Sequence, residues 1–490
     1  MNIDKPKCYC GVFGIIGSEG PAVKAYYGLH SLQHRGQEAA GIATLHESEN
    51  GKKSFSIHKD NGLVNEVFKD KDVFKSLKGF AAIGHNRYST TGGSSIKNIQ
   101  PYIVNYKSGH LALAHNGNLT NAKELRKELV NEGAIFQTTS DTEVILHLIA
   151  RSKFEDQVDQ VKDALSQIKG AYSITILTDD KLIGARDPYG FKPLCVGETK
   201  DNGFIISSET CALDINFSTY IRDVEPGEIL VIDRETKSPE NFISHRIHEE
   251  RRTHKHCIFE YIYFSRPDSQ IFGQNVDKMR RKLGKVLAQK HPVVDKDGEK
   301  VIVFSVPDSS NTCAIGYQDH LVKQGINSKL EIGLIRSHYV GRTFILPGQE
   351  KREVGVRVKF NPVKGVIEGR TIVLVDDSIV RGTTMKQLVK LIKEANPKEI
   401  HLRISSGPIL HPCYYGMDFP SKDELIANKF NQDIEKIREY LEVDSLEYMS
   451  VDEMLEAMVN QDPEHFCTAC FSGKYPTKVN TAITKEEYED

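Results

Sequence analysis

The chain has 490 residues, room by length for about three domains or two large ones. With 39% hydrophobic and 27% charged residues it carries apolar material for a real core, which excludes an intrinsically disordered chain. A net charge of −3 excludes a global field that recruits nucleic acid or an anionic membrane, so any anionic substrate must be held by a local cluster.

From residue 11 to about 245, short apolar runs alternate with Gly and Asn turns. Runs over 11–16, 80–84, 111–114, 171–177 and 204–207 predict buried strands. Helical patterns lie between them, notably over 121–132 and 142–151. Strands outnumber helices, which predicts a layered α+β body with sheets sandwiched by helices. The stretch 239–255, rich in charge and His, is the predicted boundary zone. From about residue 285 the texture changes. Apolar strands over 301–306, 330–335, 371–375 and 401–405 alternate with helices, one ending near 324 and one spanning about 384–394. That alternation predicts a doubly wound parallel sheet, so the fold class is α+β followed by α/β. Residues 421–465 read as acidic amphipathic helices leading to a Cys-bearing tail.

No window approaches the roughly 18 unbroken apolar residues of a membrane span. The opening residues lack the apolar region of a secretory signal. Nine cysteines in such a chain read as thiols, metal ligands or a nucleophile, not as a disulfide framework. The expected compartment is the cytoplasm, with no nucleic-acid or membrane partner.

Cys8 and Cys10 stand near the start, and Cys10 directly precedes Gly-Val-Phe-Gly ending at Gly14. A lone Cys is most often a small hydrophobe. If residues 1–9 were removed, however, Cys10 would carry a thiol and a free α-amine on one residue. That amine, with an ordinary pKa near 8, can take the thiol proton, so nucleophile and base need no other partner. Cys8 is the rival nucleophile, but no such glycine-punctuated strand follows it directly.

The segment from Cys10 to Gly14 resembles the nucleophile motif of class II glutamine amidotransferase domains, and His34-Arg-Gly-Gln-Glu38 resembles their second motif. Residues 84–90 resemble the segment whose Arg, here Arg87, holds the glutamine carboxylate. Residues 115–119 resemble the oxyanion-hole segment, with Asn116 and Gly117, and 140–143 the segment whose Asp, here Asp141, holds the substrate amino group. The chemistry suits those types. A tetrahedral intermediate needs donors aimed at its oxyanion, which an Asn amide and a Gly N–H supply. A zwitterion needs one planar cation and one carboxylate. Read singly, Arg87 would be a surface charge and Asn116-Gly117 a hairpin turn.

At 373–384, apolar residues end a strand, Asp376 and Asp377 sit at its carboxyl end, and a small-residue loop opens a helix. Open α/β sheets bind ligands at that position. Loop amides and the helix N-terminus would cradle a phosphate, with Ser378, Thr383 and Thr384 adding hydroxyls. The paired acids suit ribose hydroxyls and Mg²⁺. The string, which runs on through Arg381 and Gly382, resembles the phosphoribosyl pyrophosphate (PRPP) motif of type I phosphoribosyltransferases. Residues 305–310 resemble that family's pyrophosphate-side loop, with Ser309 at a metal-contact position. The basic stretch 336–359, around Tyr339 and Arg342, resembles its flexible catalytic loop closing over a leaving pyrophosphate. Arg336-Ser337-His338 departs from the Lys-Asn-Arg usual there.

Cys467 and Cys470 form a CxxC that by itself could be redox, zinc or iron–sulfur. Two ligands cannot saturate a tetrahedral metal. Cys257 and Cys413 are candidates to complete four thiolates, and all four match the iron–sulfur-bearing branch of the amidophosphoribosyltransferase family. The match implies one [4Fe–4S] cluster per subunit, in a structural role. Cys195, Cys211 and Cys313 sit in apolar contexts and are expected in the core.

The resemblance runs from Cys10 to about Pro476. It implies a propeptide over 1–9 and an N-terminal-nucleophile glutaminase domain of four αββα layers over 10–245. A type I phosphoribosyltransferase domain with a cluster-bearing helical region over 246–476 and a tail over 477–490 follow. The implied activity opens purine synthesis: glutamine is hydrolysed to glutamate and ammonia, and ammonia converts PRPP to 5-phosphoribosylamine and pyrophosphate. The implied partners are L-glutamine, PRPP, Mg²⁺, purine nucleotides as feedback inhibitors and copies of the chain in a homotetramer. One competing reading is a class II amidotransferase with another acceptor, whose second half would carry sugar-isomerase domains. The other is a PRPP-sensing regulator, which leaves Cys10, Arg87 and Asp141 without purpose.

Overall fold

A computed structural model describes residues 10–88, 95–337 and 356–479. The expected leader with Cys8, residues Tyr339 and Arg342 of the expected catalytic loop, and the tail from 480 onward lie outside the described residues.

Two antiparallel sheets build the first body. The seven strands of one run in the spatial order Thr219–Asp223, Cys195–Glu198, Phe204–Ser207, Gly11–Ile16, Ala81–Arg87, Ala39–Glu47, Lys53–Asn61. The six of the other run Ile243–Arg246, Glu228–Asp233, Lys181–Arg186, Gly170–Thr178, Gly109–Leu119, Tyr102–Tyr106. Side chains alternate along each strand. Val12, Ile16, Ala43 and Ile83 therefore meet Ala112, Ala114, Leu177 and Leu182 in a dry layer between the sheets. The other face of the first sheet, with Phe13, Ile15 and Ile42, packs on Ala22, Ala25 and Leu29 of the helix Pro21–Ser31. The other face of the second packs on the helices Ala122–Asn131, Thr142–Arg151 and Gln157–Gln167. The body has the expected αββα layers. Its edge strand Ile243–Arg246 lies inside the predicted boundary zone, and Ile247 joins its core, so the body runs slightly past residue 245.

Five parallel strands form the second body, in the order Ser328–Leu330, Val301–Ser305, Thr371–Asp376, Glu399–Ile404, Ser445–Tyr448. Helices Val276–Lys290 and Asn311–Lys323 cover one face, Thr383–Lys393 and Ile434–Leu441 the other. The sheet is doubly wound, and winding reverses between Val301–Ser305 and Thr371–Asp376.

Two sequence expectations need correction here. The single strand expected over 330–335 is two: Ser328–Leu330 stays in the parallel sheet, while Leu334–Arg336 pairs antiparallel with Phe360–Pro362. A hydrogen bond from Val363 N to Gly333 O, 2.9 Å, holds the chain away at the break. The stretch 421–465 is not wholly helical, because it contains the edge strand Ser445–Tyr448. Within that strand Leu446 and Tyr448 are buried while Ser445 and Glu447 are only partly so, a period of two too short to stand out between helices.

A buried ion network joins the bodies. Arg35, 1% exposed, donates from Nη2 to Glu260 Oε2 at 2.5 Å and to Ser265 Oγ at 3.1 Å, and from Nε to Glu209. Burial opposes its charge, but Glu260 and Glu209 overcome that and hold the guanidinium protonated. Arg280 continues the path, donating to Ser265 O at 2.8 Å and to Ser309 O at 3.4 Å. No helix among the described residues is long and apolar enough to cross a membrane.

Candidate active sites

Cys10, Arg87, Gly117 and Asp141, from four separate segments, line one pocket. Cys10 has the parity of Val12 and Ile16, so its side chain points into the layer between the sheets. Its Sγ lies 3.6 Å from Tyr88 O. Asn116 has the parity of Ala112 and Ala114 and points into the same layer from the facing sheet. Both amide atoms of Asn116 are buried with no hydrogen-bond partner among the described residues. An unmet buried polar group costs about 1–3 kcal/mol, which a bound ligand can offset. Gly117 has φ 151°, and a Cβ built there would lie 1.9 Å from Ala171 O, so glycine is required twice over. The pair sits inside the strand Gly109–Leu119, not in a hairpin turn.

Asp141 precedes the helix Thr142–Arg151, and its Oδ2 accepts from Leu119 N at 3.0 Å. Glu143 ties down the loop before it, accepting from Gln137 N at 2.8 Å and from Thr138 N and Oγ1 at 2.7 Å. Burial would raise the Glu143 carboxyl, but His147 and these donors pull it down to about 2. Asn98 and Gln100 also line the pocket and were missed from sequence. Gln100 accepts from His115 N at 2.7 Å and donates to Thr142 Oγ1 at 3.1 Å, while Asn98 donates to Thr139 Oγ1 at 2.9 Å. Their only signal was a polar pair flanking Ile99 just before Pro101.

Burial pushes the Cys10 thiol up to about 11, so at neutral pH it keeps its proton until a base removes it. The neighbouring histidines are poor bases. Burial holds His85 down to about 3 and His115 below its ordinary value.

A second cluster stands where the parallel sheet reverses its winding, the position at which such sheets bind ligands. Ser309 Oγ donates to Asp377 Oδ1 at 2.6 Å, Ser310 Oγ to Asp376 Oδ1 at 3.0 Å, and Ser378 Oγ to Asp377 Oδ2 at 2.7 Å. Asp376 and Asp377 are enclosed, 2% and 1% exposed, with serine hydroxyls on their carboxylates. Gly382, at φ 78°, turns the chain into the helix Thr383–Lys393, whose Thr383 and Thr384 form its first turn. A Cβ on Gly382 would lie 2.2 Å from Ile426 Cδ1. Arg381 donates to Glu424 at 3.1 Å. Arg336, at the root of the expected catalytic loop, pairs with Asp308 at 2.7 Å.

The four candidate cluster cysteines lie on neighbouring segments. His256–Cys257 pairs in parallel with Phe466–Cys467, placing Cys257 opposite Cys467. Leu410 N and His411 N donate to Cys470 O at 2.9 and 3.0 Å, bringing the Cys413 loop alongside. Burial raises the thiols of Cys257, Cys467 and Cys470, and each of them feels the charge of its neighbouring cysteines. Lys192, wholly buried, lies within electrostatic range of Cys257 and Cys413. Among the described residues no three His, Cys, Asp or Glu side chains converge to hold a metal ion. A single zinc needs such convergence. A cubane cluster sets its four thiolates farther apart, one on each iron. Cys195, Cys211 and Cys313 are buried, as expected.

The glutamine amidotransferase domain family matches residues 85–214, and the phosphoribosyl transferase domain family matches residues 286–408. The chain is 48% identical over 474 residues to the amidophosphoribosyltransferase of Bacillus subtilis, covering 96% of this chain and 94% of that protein. It is 46% identical over 487 residues to that of Methanocaldococcus jannaschii, covering 96% and 98%. Among solved structures it resembles one described as the allosteric regulatory enzyme of purine biosynthesis, with TM-score 0.87, 46% identity and coverage of 98% and 99%. It also resembles glutamine PRPP amidotransferase from B. subtilis complexed with ADP and GMP, with TM-score 0.86, 46% identity and coverage of 98% and 100%.

Proposed function

The chain belongs to the amidophosphoribosyltransferase family, and on that premise we propose how its residues divide the reaction between two sites. The enzyme takes nitrogen from glutamine and places it on PRPP, giving 5-phosphoribosylamine, the step that commits carbon to purines.

Glutamine binds in the pocket of the first body, its carboxylate on Arg87 and its amino group on Asp141. Removal of residues 1–9 leaves Cys10 with a free α-amine, which takes the thiol proton. The thiolate attacks the side-chain amide, and the Asn116 amide and the Gly117 N–H receive the oxyanion. Ammonia leaves, and water hydrolyses the thioester to glutamate. The observation that carries this reading is the pocket itself, which collects Cys10, Arg87, Gly117 and Asp141. The low basicity of His85 and His115 supports the α-amine as base.

Ammonia passes inside the chain to the second site. PRPP lies there with its 5′-phosphate on the amides and hydroxyls of Ser378, Gly382, Thr383 and Thr384, and with Arg381, Tyr339 and Arg342 as further contacts. The ribose hydroxyls exchange for the serine hydroxyls on Asp376 and Asp377. Those two acids and Ser309 are hard oxygen donors within reach of one another, a set that fits Mg²⁺, which keeps few protein ligands and completes its shell with substrate oxygens and water. Bound there, Mg²⁺ would offset negative charge as pyrophosphate departs. Ammonia displaces pyrophosphate from C1.

Cys257, Cys413, Cys467 and Cys470 fit a [4Fe–4S] cluster by donor chemistry, four thiols in an enclosed, largely apolar setting. Bound there, the cluster would cross-link the body junction to the C-terminal region. Neither reaction needs an electron. Feedback inhibition by purine nucleotides, a homotetramer and a cytoplasmic location complete the proposal. The nucleotides seen on the B. subtilis relative support the first of these.

Mass spectrometry of the purified protein tests the glutaminase half. The reading requires a mature chain beginning at Cys10, with a diazo-ketone glutamine analogue attached to that residue. A fully active enzyme that retains residues 1–9 contradicts it.

A further inference from the structure

Asn118, one residue beyond Gly117, reaches out of the glutaminase sheet. Its Nδ2 donates to Tyr414 O at 3.0 Å, next to Cys413. That loop is itself pinned, by Tyr475 Oη donating to Pro412 O at 2.6 Å and by the Tyr415 and Thr477 hydroxyls 2.9 Å apart. On the neighbouring strand Ala171 stands opposite Asn118, and it is the Ala171 carbonyl that crowds Gly117. Ala171 shares a buried apolar cluster with Phe191, Tyr415, Cys467 and Ala469. The rings of Phe191 and Tyr415 stack with centroids 4.2 Å apart. The strand pair carrying Gly117 is thus held from the cysteine-bearing region by both a polar and an apolar contact.

We propose that Asn118 is a positioning residue for glutamine hydrolysis, fixing the Gly117 strand to the Cys413 loop so that the oxyanion donors stay aligned. The inference rests on the glutaminase reading of the pocket. Preorganised donors act on the transition state, so their misalignment lowers turnover more than substrate binding. Arg87, on the separate strand Ala81–Arg87, holds the glutamine carboxylate without this contact and keeps the KM in place. The phosphoribosyl site has no part in this contact.

The test uses Asn118→Ala and Asn118→Asp in the full chain; the aspartate matches Asn in size but cannot donate to the Tyr414 carbonyl. Glutamine-dependent and ammonia-dependent synthesis, iron content and Tm are measured together. Both variants should lose on the order of tenfold in kcat with glutamine, the worth of one hydrogen bond at this site. KM for glutamine should stay within about twofold, and the ammonia-dependent rate should not change. A wild-type kcat in Asn118→Asp overturns the proposal. So does a parallel fall of both activities with Tm, which marks a merely structural contact. A Cys10→Ala control that still used glutamine would instead sink the glutaminase reading itself.

Discussion

Ser309 and Asp377, distant in sequence, meet at 2.6 Å across the point where the parallel sheet reverses its winding. The contact joins the loop after Val301–Ser305 to the carboxyl end of Thr371–Asp376. On the proposed mechanism both groups turn to PRPP and its metal. Asp377→Asn should therefore lower synthesis on the order of a hundredfold with either glutamine or ammonium as nitrogen donor. Ser309→Ala, which removes one hydroxyl, should cost about tenfold. Pyrophosphate release at saturating PRPP measures both, and unchanged rates in Asp377→Asn would remove the acid pair from the site.

Gly117→Ala strikes the other half. The added methyl would lie 1.9 Å from Ala171 O at a φ of 151°, so the strands must part. Backbone strain alone is worth about 1–3 kcal/mol. Glutamine-dependent synthesis should fall on the order of a hundredfold or more, while ammonia-dependent synthesis persists. Equal loss of both would mean that the strand supports the whole chain and not one site.

Glu143 makes the loop carrying Asp141 sensitive to acid. Its carboxyl is held at about 2 against an ordinary value of 4.5, so the stabilisation it provides is full above 4.5 and is lost as pH falls from there through about 2. Glu143→Gln should thus melt earlier than the native chain at neutral pH, with the two Tm values converging as pH drops below 4.5. A gap that stays constant down to pH 3 would show that charge on Glu143 contributes nothing.

Cys467→Ser removes a proposed ligand on the strand that pairs with Cys257. Iron and acid-labile sulfide should fall to background, and the C-terminal region should become open to limited proteolysis. A native-like variant with full iron content would take Cys467 out of the ligand set.

Much of this arrangement is legible in the chain. The run 11–16, buried on both faces, and the largely buried helix Thr142–Arg151 form where their apolar residues place them. The acids at 376 and 377 announce a strand end, since two charged residues cannot continue a strand buried on both faces. What stayed hidden depends on contacts between distant segments. The polar pair around Ile99 does not by itself reveal the roles of Asn98 and Gln100, which come from Thr139, Thr142 and His115. The Arg35–Glu260 pair likewise becomes visible only once the two bodies are packed. The break after Leu330 is set by pairing with Phe360–Pro362, across a stretch that gives no strand signal of its own. The cysteines fall between these cases: spacing exposes Cys467 and Cys470, the family resemblance adds Cys257 and Cys413, and the fold pairs the strand of Cys257 with that of Cys467.

The most direct test of two coupled but separate sites is synthesis of 5-phosphoribosylamine by Cys10→Ala with glutamine and, in parallel, with ammonium. The variant should make no product from glutamine and should match the native chain with ammonium at alkaline pH, where free ammonia is abundant. Product formation from glutamine without the Cys10 thiol, or loss of the ammonium reaction along with it, would contradict the account.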